Sequence, residues 1–181
     1  MLDSANQDTK STIWKIIAPI VIVLLILLWF QIAFQSFVVD GSSMEHSLQD
    51  RQVILVNKAA YWFSSPKRGD IVVYRSRSFL TEDKIIIHRV VAMPGETVEV
   101  KDGKVYINGS PTPLDEPYAW GDNKDISPQH VPEGHYFILG DNRNNTSAEI
   151  VPEGNIIGKA WLSIWPLSKW GLAPNYALET E

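Results

Sequence analysis

The sequence predicts a mostly β domain, built as a coiled β-sheet or barrel and carried on a single N-terminal transmembrane helix. Three observations set that expectation. Residues 16–30 form an apolar run with no charged side chain. Beyond it, short segments rich in β-branched and aromatic residues recur between turn signals. Asp102-Gly103, between Glu99-Val100-Lys101 and Lys104-Val105-Tyr106, is a two-residue hairpin loop, because both central residues of a type I′ turn need positive φ.

The helix comes first. Residues 1–12 form a short polar tail and residues 13–35 an anchor, apolar from 13 to 30 except for Lys15 and extended through Ile32, Ala33 and Phe34. That reaches the roughly 20 residues needed to cross a bilayer. Trp14 and Trp29-Phe30 suit interfacial belts at its two ends. A cleaved signal peptide is the competing reading, but the stretch exceeds the roughly 7 to 15 residues of such an apolar region, and no clean small-x-small cleavage site follows. Lys10 and Lys15 precede the span and the next basic residue is Arg51. The charge bias puts the N-terminus in the cytoplasm of a single-pass plasma-membrane protein and residues 36–181 outside the cell.

Those residues suffice for one domain with its own core. Strands are expected at 53–56, 70–74, 85–93, 97–101, 104–107, 135–139 and 156–165, all dense in Val, Ile, Tyr, Phe and Trp. Asn108-Gly109 ends the fifth of them in a turn. Residues 110–132 gather prolines, acids and glycine without periodicity and read as a surface excursion, so that about 97–134 forms a smaller β and loop insertion.

Composition removes several functions. The net charge of -5 falls outside the tail and anchor, with no basic stripe, so nucleic acid is not an expected partner. The chain has no cysteine, which excludes disulfides and thiol catalysis. Its four histidines are too scattered for a metal site, and no cofactor is expected.

Two residues carry the chemistry. Ser43 lies in Gly41-Ser42-Ser43-Met44 just beyond the anchor, and His88 lies inside the apolar run Ile85-Ile86-Ile87-His88-Arg89-Val90-Val91. Alone, the serine reads as loop chemistry and the histidine as a hydrogen-bonded core residue. Strand alternation places His88 with Ile86 and Val90 on one face, and Arg89 with Ile87 and Val91 on the other. A buried guanidinium needs a carboxylate, whereas a neutral imidazole is cheaper to bury and can still accept a proton. The best source of that carboxylate is the polar segment Gly140-Asp141-Asn142-Arg143-Asn144-Asn145-Thr146-Ser147 after the strand at 135–139.

Taken in order, these segments resemble the bacterial type I signal peptidases. Gly41 to Leu48 resembles that family's nucleophile box, and Arg68-Gly69-Asp70-Ile71-Val72-Val73-Tyr74 its next strand box. His88-Arg89-Val90-Val91-Ala92-Met93-Pro94-Gly95-Glu96 resembles its base box and Gly140-Asp141-Asn142-Arg143 its last. The resemblance implies a signal-peptidase-like catalytic β-core with a smaller β insertion. It implies a membrane-bound serine endopeptidase that removes signal peptides from secretory precursors after small-x-small sites, with the lipid bilayer and those precursors as partners. By position, Ser43 would be the nucleophile, Arg89 and Asp141 a structural ion pair, and Thr146 the hydroxyl near the base.

The chain departs from the family where lysine is the usual base and His88 stands here. Lysine, ordinarily near pKa 10.4, must lose several units to act near neutrality, and histidine near 6.5 need not. Lys84 sits roughly 13 Å along the strand from position 88, too far to replace it. His46, where the family usually has proline, reads as a loop residue. Ala148 occupies the place of a later aspartate, leaving Glu149 as a candidate orienting residue and a Ser-His dyad as the alternative. With Gly41 two before the nucleophile, oxyanion stabilisation falls to the backbone N–H of Ser43, with Ser42. Tyr61-Trp62-Phe63 reads as core or as an interfacial cluster, and Trp161, Trp165 and Trp170 read as packing. A non-hydrolytic homologue that binds exported proteins as an assembly factor is the second functional reading. A plain anchored structural domain does not account for four ordered boxes.

Overall fold

The structure is a computed structural model that describes residues 2–76 and 84–176, with side chains from residue 14 onward. The last five residues of the expected extracytoplasmic domain lie outside the described residues.

Helix α1 (Leu2–Ala33) contains the apolar window Trp14–Ala33, almost wholly unburied by the rest of the chain. The helix gives way at once to β1 (Phe34–Val38), so Phe34 and Gln35, expected at the end of the anchor, already pair with Asn57 and Val56. The chain continues through β2 (Val53–Asn57), β3 (Ile71–Ser76), β4 (Lys84–Ala92), β5 (Thr97–Lys101) and β6 (Lys104–Ile107). It ends with β7 (Ile126–His130), β8 (His135–Leu139), β9 (Ala148–Pro152), β10 (Ile156–Trp165) and the short β11 (Gly171–Leu172).

The fold is mostly β. One antiparallel sheet runs β1-β2-β10-β3-β4-β8-β9, with β11 on β10, and β6-β5-β7 form a second, three-stranded sheet. The large sheet coils without closing: among the described residues β1 and β9 each carry a neighbour on one side only. An open coiled sheet therefore replaces the barrel alternative. At the β5–β6 turn Asp102 and Gly103 both have positive φ, 48° and 71°. A Cβ on Gly103 would also collide with the Gly121 carbonyl oxygen, so the hairpin needs glycine there.

Alternation along β3 and β4 divides the core. Ile71, Val73 and Ile87 pack on one face with Ile54, Val56 and Ala160, and with Met44 and Leu48 from the loop after β1. Val72, Tyr74 and Val90 pack on the other with Tyr136, Ile138 and Val151. Fully burying a side chain such as Leu48 contributes about 1.5–3 kcal/mol. The loop that carries Ser43 is thus fastened to the core one residue and five residues beyond the serine. A third cluster, with Val91, Phe137 and Leu139 against Val98, Val100 and Val105, joins the two sheets.

Candidate active site

Ser43 is held from three sides. Gly41 takes φ 86° and donates its N–H to Asp50 Oδ1 at 2.8 Å, turning the chain out of β1. Asn142 then clamps the turn: its backbone N–H donates to the Ser43 carbonyl at 2.9 Å and its side-chain amide to the Ser42 carbonyl at 3.0 Å. Asn145 donates to Ser42 Oγ at 2.7 Å. Gly140 makes this approach possible, because a Cβ there would collide with the Ser43 carbonyl oxygen and the Thr146 hydroxyl.

His88 is 3% exposed, and its Nε2 lies 3.0 Å from Ser43 Oγ. The strand supplies a rigid mount, and the loop supplies the hydroxyl. Burial pushes the imidazole down from 6.5 to about 4, with the negative charge of Asp141 pulling weakly the other way. At neutral pH the ring is therefore uncharged and able to accept a proton. On the far side of the ring, the Tyr74 hydroxyl stands 3.4 Å from Nδ1.

Arg89, one residue on, faces the opposite way and is fully buried. Its Nε and Nη2 donate to the two carboxylate oxygens of Asp141 at 2.8 and 2.7 Å, a bidentate pair. Nη1 donates to the carbonyls of Gly69 and Pro174 at 2.8 and 3.0 Å, and the Tyr176 ring lies 4.2 Å from the guanidinium carbon. Ser47 adds its hydroxyl to Asp141. The pair joins β4, the segment after β8 and the serine loop around one neutralised charge.

The remaining sequence candidates fall elsewhere. The Thr146 hydroxyl accepts the Gly140 N–H at 2.9 Å and donates to the Ser147 carbonyl, so it braces the turn beside Ser43. Glu149 is not beside the imidazole; it accepts a hydrogen bond from Ser76 at 3.1 Å, next to Tyr74. Lys84 lines the groove at the far end of β4. His46 packs its ring against Trp120 at 4.9 Å, and Tyr61 donates to Asp70 at 2.8 Å while Phe63 is exposed.

Sequence reasoning did not pick out Tyr74 as a partner of His88, nor Ser47 and the buried pair Arg143–Glu116. Arg143 binds the Gly140 and Gly103 carbonyls as well as Glu116, tying the last box to the second sheet. Burial raises the Glu116 pKa and the Arg143 charge partly offsets it. Spacing alone carries no signal for these contacts. Among the described residues no group of three or more His, Asp or Glu side chains gathers to hold a metal ion.

The serine opens onto a groove of about 600 Å³ between the end of β1 and the start of β4, floored by Ser43 and His88 and flanked by residues 144–147. β8 pairs with β4 only from Arg89 to Ala92, so among the described residues the edge of β4 from Lys84 to Ile87 carries no strand on that side. An uncharged imidazole against a serine hydroxyl, beside two strand edges, can activate the hydroxyl and receive an extended peptide.

The family described as signal peptidase, peptidase S26, matches residues 12–165. "Signal peptidase I" of Leptolyngbya laminosa is 36% identical, over 74% of this chain and 70% of that protein. "Signal peptidase I T" of Bacillus subtilis is 33% identical over 93% of this chain and 97% of its own length. A crystal structure of a signal peptidase I from Enterococcus faecalis is 29% identical, with a TM-score of 0.42 over 53% of this chain and 97% of that one. On the extent of the family match and of the two sequence relatives, the chain belongs to the signal peptidase family, peptidase S26, and is a serine endopeptidase.

Proposed function

We propose that this protein cleaves N-terminal signal peptides from secretory precursors after small-x-small sites, with Ser43 as nucleophile and His88 as general base. Family membership supports signal-peptide cleavage. The observation that carries the finer reading is the 3.0 Å contact between Ser43 Oγ and the buried, uncharged Nε2 of His88.

Each step has a group to perform it. The precursor lies extended in the groove and completes hydrogen bonds with the open edge of β4. Ser43 Oγ attacks the carbonyl carbon as its proton passes to Nε2. The oxyanion is stabilised by the Ser43 backbone N–H, with Ser42. The imidazolium then protonates the leaving amine, and water, activated by the same ring, releases the acyl group from the serine. Arg89 and Asp141 act as the structural pair that holds both boxes in register.

The same reading places the chain in the plasma membrane, with its N-terminus cytoplasmic and the catalytic domain outside. α1 spans the bilayer, and the domain offers apolar side chains where it leaves the membrane. Val38 and Trp165, which both pair with Val53, are exposed, as are Leu167 and Trp170, and Trp62 and Phe63 are exposed after β2. Such a rim suits the lipid interface and would hold the groove at the level where cleavage sites emerge.

The test is incubation of the full-length protein in lipid with an exported precursor, with mass spectrometry of the new N-terminus. Cleavage after the small-x-small site by the wild type and not by folded Ser43→Ala supports the reading. Binding of precursor without cleavage by either replaces it with the assembly-factor reading.

A further inference from the structure

The face of the sheet that carries His88 also carries two polar groups without a part in the steps above. β3 and β4 pair with Val72 opposite His88 and Tyr74 opposite Ile86, which puts the Tyr74 side chain diagonally beside His88. Across β4, Val90 lies opposite Ile138 and Ile138 opposite Glu149, so Glu149 rises on that same face two strands away. The coil of the sheet then brings β9 over β3. Ser76 Oγ on β3 donates to Glu149 Oε1 at 3.1 Å, which brings the carboxylate toward Tyr74, two residues back on the same face of β3. That hydroxyl is fully buried and 3.4 Å from His88 Nδ1.

A phenol has one proton to give and lone pairs to accept with. A carboxylate is a stronger acceptor than a neutral imidazole, so Tyr74 donates to Glu149 and turns a lone pair toward Nδ1. His88 must then carry its proton on Nδ1, which leaves Nε2 bare opposite Ser43. Without Glu149, the Tyr74 proton would turn to Nδ1 and the imidazole would present Nε2–H to the serine, a donor where the reaction needs an acceptor. Burial first, then the Glu149 charge and hydrogen bond, raise the Tyr74 pKa, so the phenol stays protonated throughout.

We propose that Tyr74 and Glu149 act as a positioning relay that fixes His88 in the Nδ1–H tautomer, with the phenol standing where a catalytic triad has its acid. This inference rests on the Ser43–His88 reading and gives it a third and fourth member. In the acyl-transfer step the Ser43 Oγ–carbon bond forms and its proton moves to Nε2. Nδ1 and Tyr74 keep their protons and Glu149 stays a carboxylate, and the phenol oxygen, polarised by Glu149, stabilises the imidazolium. Three other groups reach the ring or its groove: Ser43 at Nε2, Asp141 through its charge, and Lys84 at the distant end of β4. By their positions none of these holds Nδ1.

The test uses the full-length protein in detergent with histidine labelled at the ring nitrogens, the His88 signals being identified by their loss in His88→Gln. In the wild type at neutral pH, nitrogen shifts should report Nδ1–H. Tyr74→Phe and Glu149→Gln should each move the population toward Nε2–H. In precursor cleavage both should lower kcat by about 10- to 100-fold with KM unchanged, less than the ~10⁴ lost when a triad aspartate is neutralised. Glu149→Asp should recover part of that loss. If the tautomer and kcat match wild type in both variants, the relay is wrong even though the peptidase reading stands. If the tautomer shifts as expected in a wild type that cuts nothing, the relay stands and the peptidase reading falls. Should Tyr74→Phe fail to fold, the isosteric change at half-buried Glu149 decides alone.

Discussion

His88 and Arg89 are neighbours in β4 that face opposite ways, and burial has been resolved differently for each. Arg89 keeps its charge and is saturated: Asp141 takes two donors, Gly69 and Pro174 share a third, and Tyr176 covers the plane. His88 gives up its charge and keeps two contacts, Ser43 on one nitrogen and a longer approach from Tyr74 on the other. A saturated buried charge resists change and serves as a brace. A buried neutral base with few, adjustable partners can take up and return a proton. The strand makes this division possible because its side chains alternate, so structure and chemistry occupy opposite faces of one rigid element.

That contrast can be broken from either face. The largest effect is expected on the His88 face: Ser43→Ala or His88→Ala should cost about 10⁴-fold or more in kcat/KM, since members of a catalytic unit fail together. Thermal unfolding of Ser43→Ala should stay close to wild type, while His88→Ala also leaves a cavity in the sheet and unfolds earlier. On the Arg89 face the balance reverses. Asp141→Ala strands a fully buried guanidinium and should cost ~3–5 kcal/mol of stability, measured by denaturant unfolding. Replacing both partners, Arg89→Met with Asp141→Leu, should cost much less than the single change.

A third effect appears in the pH dependence of stability. His88 is held near 4 in the fold against 6.5 when unfolded, so the unfolded chain binds the extra proton first as the medium is acidified. Its contribution to stability is complete above about 6.5, falls between there and about 4, and totals about 3 kcal/mol. His88→Gln should flatten this part of the stability curve. The smallest effect belongs to the membrane rim. Phe63→Ser removes an almost fully exposed ring and should weaken lipid association by ~1–2 kcal/mol, slowing cleavage of bilayer-embedded precursor while leaving soluble peptide cleavage unchanged.

The division between the two faces was legible in the sequence, because period-two alternation needs only the strand at 85–93 and no partner. The expected strands at 97–101, 104–107, 135–139 and 156–165 match β5, β6, β8 and β10. β1 was hidden by its apolar continuity with the anchor, and Pro128 and Pro152 masked β7 and β9, both at sheet edges where proline is tolerated. Whether the sheet closes depends on the pairing of β1 and β9, which no local pattern encodes. Tyr74 was read only as the end of a strand box. Its place beside His88 requires the β3–β4 register, and the position of Glu149 behind it requires the coil that brings β9 over β3.

The pH dependence of kcat/KM for a single precursor reports whether the buried, uncharged His88 is the base. An acidic limb falling below about pH 4 to 5, and a plateau through neutrality, is the result expected of His88. Activity that instead rises with a group titrating well above neutrality, and that survives in His88→Ala, would assign the base to another residue.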